Sequence, residues 1–90
     1  MAKNTTKKSI LKDLDTVTDI NGCKGLLRAI KVQEDENNKI IARNSRLVPE
    51  FKNEPEFVAN LKESTEIRTN WNTGLAVARE AVFTKMDELL

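Results

Sequence analysis

The sequence predicts an all-α protein: a short N-terminal helix followed by a long antiparallel helical hairpin, assembled as an oligomer. Three observations carry this expectation. Ile67, Trp71, Leu75, Ala78, Val82, Met86 and Leu89 recur at steps of three and four, which makes one apolar stripe along a helix. Cys23, Leu27, Ile30, Ile41 and Val48 fall near one face of an earlier segment with the same period. Third, the turn from Gly74 to Ala78 is apolar on every side, and Ala76, Val77 and Phe83 point away from the stripe. A surface helix needs only one apolar face, so such a turn calls for cover all round, and 90 residues leave little chain to supply it. A partner subunit is the expected cover.

In chain order, residues 1–8 read as a flexible basic arm with Lys3, Lys7 and Lys8, either a solvated tail or a strand that closes over an anionic ligand. Ser9 can cap a short helix over 9–15 whose Ile10, Leu11 and Leu14 need cover, which the overhanging Met86 and Leu89 could supply. The first hairpin helix is expected over 20–48. It runs through the polar stretch Gln33–Lys39, because the apolar phase before that stretch is recovered after it. Pro49 then stops it. Asn53 as cap, Pro55 in the first turn and Glu56 three residues past the cap start the second hairpin helix, over 53–90. With the turn near residues 50–51, facing residues should have numbers summing to about 101. That register sets Ile30 opposite Trp71, Leu27 opposite Gly74, Cys23 opposite Ala78 and Ile41 opposite Asn60. It also brings Asn37 to Ser64 and Glu34 to the Ile67–Arg68 turn, so a polar layer selects the register within an apolar seam.

Composition narrows the function. The net charge of +1 gives no global basic field, so duplex nucleic acid is not an expected partner. No apolar run reaches the roughly 18 residues of a membrane span, and no signal-peptide core follows the N-terminal lysines, so a cytoplasmic location is expected. Cys23 is the only cysteine and reads as a core residue. With no histidine and no tyrosine, acid–base work would fall to carboxylates or lysines. Glu34, Asp35 and Glu36 are consecutive and fan around a helix, so they cannot converge on a metal. No catalytic residue, metal or cofactor is expected, and the chain reads as a non-enzyme.

The remaining candidates are cationic. Lys24, Arg28 and Lys31 lie at i, i+4 and i+7, a strip that is either a solvated face or an anion site assisted by amides near Gly22 and Gly25. Arg68 either pairs with Glu34 inside the hairpin or directs its guanidinium at a phosphate. Trp71 either packs on Ile30 or stacks on a base. Gly74 sits mid-helix at a cost of about 1 kcal/mol against alanine, which marks close approach of another backbone or a ligand.

Within that hairpin, Arg68 to Val82, RTNWNTGLAVAREAV, resembles the second-helix signature of a small phage family, the anti-CBASS sponges, whose helical hairpin is shared with anti-Thoeris sponges. Arg68-Thr69, Gly74 five residues after Thr69, and Ala81-Val82 match; Arg79 stands one position before the family's basic residue. Ala29-Ile30-Lys31 is similar to the family's Ile-Lys pair in the first long helix. The resemblance implies a phage origin and a hexamer that binds cyclic di- or trinucleotides between subunits and holds them uncleaved, which silences host defence signalling. It also implies that Lys31 and Arg68 contact phosphates with Thr69 beside them. The family's N-terminal tyrosine has no counterpart here. A different class of function, a structural or regulatory protein that docks its apolar helix on a host or virion protein, fits the same pattern.

If the apolar turn is an interface, the chain is oligomeric at micromolar concentration, and Val77→Glu or Phe83→Glu dissociates it with helicity unchanged. A monomeric mass for the unmodified chain in light scattering would remove the basis for that expectation.

Overall fold

The structure, a computed structural model, describes residues 4–90, so Lys3 of the expected basic arm lies outside the described residues. Three helices, α1 (Lys7–Leu14), α2 (Ile20–Glu50) and α3 (Pro55–Leu89), make a long hairpin with α1 packed near its open end. The 35 residues of α3 account for about 52 Å at the standard rise, and the molecule measures 55 × 24 × 15 Å. Its radius of gyration of 16.3 Å exceeds the roughly 12 Å of a compact chain this long. None of the described helices is long and apolar enough to cross a membrane.

Each helix end has a local cause, and several differ from expectation. α1 starts at Lys7, because Thr6 caps it: the Thr6 hydroxyl accepts from Ser9 N–H at 3.1 Å, and Ser9 Oγ accepts from Thr6 N–H at 2.9 Å. Ser9 is thus the reciprocal partner of a capping box rather than the cap, and Lys7 and Lys8 are helical rather than part of a loose arm. Asp19 caps α2 by accepting from Gly22 N–H at 2.8 Å. The first-turn amide at Gly22 is therefore already used, and Gly25 lies past that turn, where the helical ladder takes the amides. They do not assist an anion site.

Pro49 does not stop α2, which continues to Glu50. Proline removes only the hydrogen bond to the Ser45 carbonyl, at an exposed position, and Phe51 N–H closes the last turn on the Leu47 carbonyl at 3.0 Å. At the other side of the turn Pro55, with its fixed φ, opens α3, so Glu54 and not Asn53 occupies the cap position, without a side-chain bond. Phe51 and Phe57 meet edge to face across the turn at 5.0 Å.

These shifts change the register. The turn is centred between residues 52 and 53, two residues later than expected, and helical side chains lean toward their own N-termini, which raises the numbers on both sides of a contact. Asn37 accordingly meets Arg68 and Asn72, not Ser64, and Asn44 meets Leu61 and Thr65. Those pairs sum to 105 and 109 instead of about 101.

Along α2 the fully buried residues Cys23, Ile30, Asn37 and Asn44 are seven apart, and along α3 Leu61, Arg68, Leu75 and Val82 are too, as in a coiled coil. Ile10, Cys23, Ile30, Leu75, Ala78 and Val82 form one core at the open end, with Leu14, Met86 and Leu89 packed on it. The apolar turn of α3 is only partly covered. Leu75 and Ala78 are buried, and the close neighbour that Gly74 accommodates is Lys7 of α1, whose Cβ lies 3.3 Å from where a Gly74 Cβ would stand. Val77 and Phe83 stay 50% and 41% exposed.

Leu75→Ala removes a buried side chain from the centre of this core. It should cost about 2–5 kcal/mol, a large share of the 5–15 kcal/mol typical of a domain. The urea midpoint is expected to fall steeply, whereas Val77→Ala leaves it nearly unchanged.

Candidate functional site

Between the apolar core and Leu61 the hairpin interior is made of amides. Gln33, Asn37 and Asn44 are 6%, 0% and 0% exposed. An unsatisfied buried amide costs about 1–3 kcal/mol, so each must find partners across or along the helices. Gln33 Nε2 donates to Asn37 Oδ1 at 3.1 Å, Asn37 Nδ2 to Asn72 Oδ1 at 2.8 Å, and Asn72 Nδ2 to Asn38 Oδ1 at 2.9 Å. Two turns nearer the hairpin bend, Asn44 Nδ2 donates to Thr65 Oγ1 at 3.2 Å and to the Leu61 carbonyl at 3.3 Å. Among the described residues no buried side-chain polar atom lacks a partner.

Two arginines of α3 enter this layer and are treated differently. Arg79 is ion-paired with Glu34, both largely buried. The expected Glu34–Arg68 pair is therefore absent: the later register takes Arg68 to Asn37, and the long side chain of Arg79, one turn beyond the paired positions, reaches Glu34. Arg68 is half-buried and donates through Nη1 to Asn37 Oδ1 at 2.8 Å, while its guanidinium carbon lies 5.0 Å from the Trp71 ring centroid. Among the described residues no carboxylate comes within 4.0 Å of it. Arg68 thus has no ion-pair partner among the described residues.

Trp71 packs against the core cluster as the sequence suggested, and it is tethered besides. Its Nε1 donates to the Thr5 carbonyl at 2.6 Å, and Thr5 N–H donates to Gln33 Oε1 at 3.2 Å. The segment before α1 is thereby sewn to the layer. With one face given to Arg68, Trp71 is a support for that cation.

The expected site residues do not converge in one subunit. Lys24, Arg28, Lys31 and Thr69 are all exposed, and Thr69 directly follows Arg68. Lys31 meets only Asp35, at 3.4 Å on the surface, with both side chains more than half exposed; such pairs are worth about 0–1 kcal/mol, so Lys31 is effectively free. Arg68 stands level with Asn37, six residues or about 9 Å along α2 from Lys31, too far for one phosphate to bridge both. Lys8 is exposed on α1. That helix lies against Leu26 and Ala29, and Ala29 is two positions from Lys31, about 200° around α2, so Lys8 and Lys31 sit on different flanks. Surface clefts of about 290, 470 and 150 Å³ are lined by other residues, none of them Arg68 or Lys31. Asn37 bonds Arg68 directly, and Gln33 and Thr5 are linked to it through Asn37 and Trp71. The seven-residue spacing from Ile30 through Asn37 to Asn44 signals the first, but nothing local to Thr5 signals its role.

Comparison with protein-family models, curated proteins and solved structures finds no match for this chain.

A double-mutant cycle should find Glu34 and Arg79 coupled by about 0.5–3 kcal/mol. The same cycle on Glu34 and Arg68 should give a value near zero. Coupling of Glu34 to Arg68 instead would contradict the register.

Proposed function

We propose that this chain is a phage-encoded sponge: it binds cyclic oligonucleotide second messengers and sequesters them uncleaved in the host cytoplasm, which blocks antiviral signalling. The observation that carries the reading is Arg68, a half-buried guanidinium held by Asn37 and Trp71 and left without a carboxylate. A fixed, un-neutralised arginine is suited to a phosphate, to which its planar fork can donate two bonds.

Arg68 takes one phosphate with Thr69 beside it, and Lys31, about 9 Å along the hairpin, takes another. Lys24 and Arg28 extend the positive strip, and Lys8 reaches the ligand from a second flank or a second subunit. None of the three clefts described above is lined by these residues, and the ligand is held at a junction of a homo-oligomer, a hexamer by the resemblance. The mechanism is mass action: ligand bound here is ligand withheld from a host effector. Retention without chemistry agrees with a chain that has neither histidine nor tyrosine.

A second reading draws on Val77 and Phe83, apolar and exposed on α3. On that reading the face docks on a host or virion protein and the chain is a structural or regulatory partner.

Thermal-shift measurements with a panel of cyclic di- and trinucleotides separate the two readings. For the ligand that stabilises the protein, Arg68→Ala and Lys31→Ala are each expected to weaken binding by about 10- to 150-fold. The nucleotide released by heat should be intact. A linearised product would make the protein an enzyme. Absence of any cyclic-nucleotide binding, with capture of a defined host or virion protein through Val77 and Phe83, would decide for the second reading.

A further inference from the structure

We propose that Asn37 is a positioning residue that fixes Arg68 for a phosphate while leaving its charge unspent. The inference rests on the sponge reading and assigns the residue that makes Arg68 a receptor.

The Asn37 carboxamide is fully buried and fixed at three points. Its Oδ1 accepts from Gln33 Nε2 at 3.1 Å and from Arg68 Nη1 at 2.8 Å, and its Nδ2 donates to Asn72 Oδ1 at 2.8 Å. Turning the amide over would aim its N–H bonds at two other donors, so Oδ1 is locked toward Arg68. A guanidinium carries five N–H donors, and one is used here. Trp71 supports the ring-like plane at 5.0 Å. The cation is held at one nitrogen and along one face, so much of the ordering cost of binding is met before a ligand arrives.

A carboxylate at position 37 would hold Arg68 at least as firmly. The chain has 14 acidic residues, three of them directly before this position, and it gives one, Glu34, to Arg79. Around Arg68 it places neutral amides instead: Gln33, Asn37 and, one step further, Asn72. The bond to Arg68, taken alone as a structural tie, is served by either an amide or a carboxylate. An anion receptor is served only by the amide, because a carboxylate partner cancels the field that attracts the ligand.

That asymmetry gives the test. Trp71 is the only tryptophan and lies against Arg68, so its fluorescence reports on occupancy of the site. The full chain is titrated with the panel of cyclic di- and trinucleotides and with inorganic pyrophosphate as a minimal probe. Asn37→Asp loses the Nδ2 donor to Asn72 Oδ1, so the free protein should melt earlier; below that midpoint it should keep its helical circular dichroism, yet bind the probe about 10- to 150-fold more weakly, as much as loss of the Arg68 contact itself. The binding that remains should depend less on salt. Asn72→Asp, at a half-buried position one turn from Arg68, should weaken binding by a smaller factor and serves if Asn37→Asp does not fold. Unchanged affinity in the folded aspartate variants would overturn the role of Asn37 and leave the sponge reading standing. If the unmodified protein binds none of the probes, the sponge reading fails and this inference falls with it.

Discussion

The packing of α2 on α3 depends on amides that sit where a coiled coil ordinarily places apolar side chains. Asn37 and Asn44 occupy the same seven-residue positions as Cys23 and Ile30 and are just as buried. A seam of leucines tolerates a slip of one turn with little change in burial. A seam with Asn37 at its centre does not tolerate a slip toward the open end, because that would set its amide against Leu75 and strand hydrogen-bonding groups in the interior. The apolar end supplies cohesion through Ile30, Leu75 and Val82, and the amide layer decides which way that cohesion is used.

Much of the fold was legible from periodicity. The hairpin, the short leading helix, the continuity of α2 through Gln33–Lys39 and the packing of Met86 and Leu89 on the core all follow from the spacing of apolar residues. Helix ends were less legible. Pro49 could be absorbed because the carbonyl it frees is at an exposed position, and Thr6 outcompeted Ser9 as cap because the pair can bond reciprocally. Neither outcome is visible in propensity alone. A two-residue error at the bend gave Asn37 and Glu34 partners other than those expected, since antiparallel partners are counted from the turn.

The site was legible in its residues and not in their partners. Arg68 could be picked out, but its assignment to Glu34 depended on the mistaken register, and in the structure Arg79 takes that carboxylate. Lys24, Arg28 and Lys31 do form an exposed strip along α2, and their spacing sufficed to show it. The tie from Thr5 to Trp71 joins residues 66 apart, and no local pattern encodes it.

The ladder of bonds across the hairpin also implies an order of assembly. Asn44 reaches Leu61 and Thr65 over 17 and 21 residues, Asn37 reaches Arg68 over 31, and Glu34 reaches Arg79 over 45. Each rung, once closed, shortens the loop that the next must close, so the hairpin can zip outward from its bend at a small entropic cost per step. On that order the first rung would contain the Asn44 amide, and a wrong register would be penalised before the apolar end met. The eight-residue α1 closes last, across the greatest separation, and is held chiefly by Ile10 and the two bonds of Thr5. Opening of α1 with the segment before it would bare the Gly74 side of α3 and break the Thr5 bond to Gln33, while the Asn37 and Asn44 bonds across the hairpin could remain.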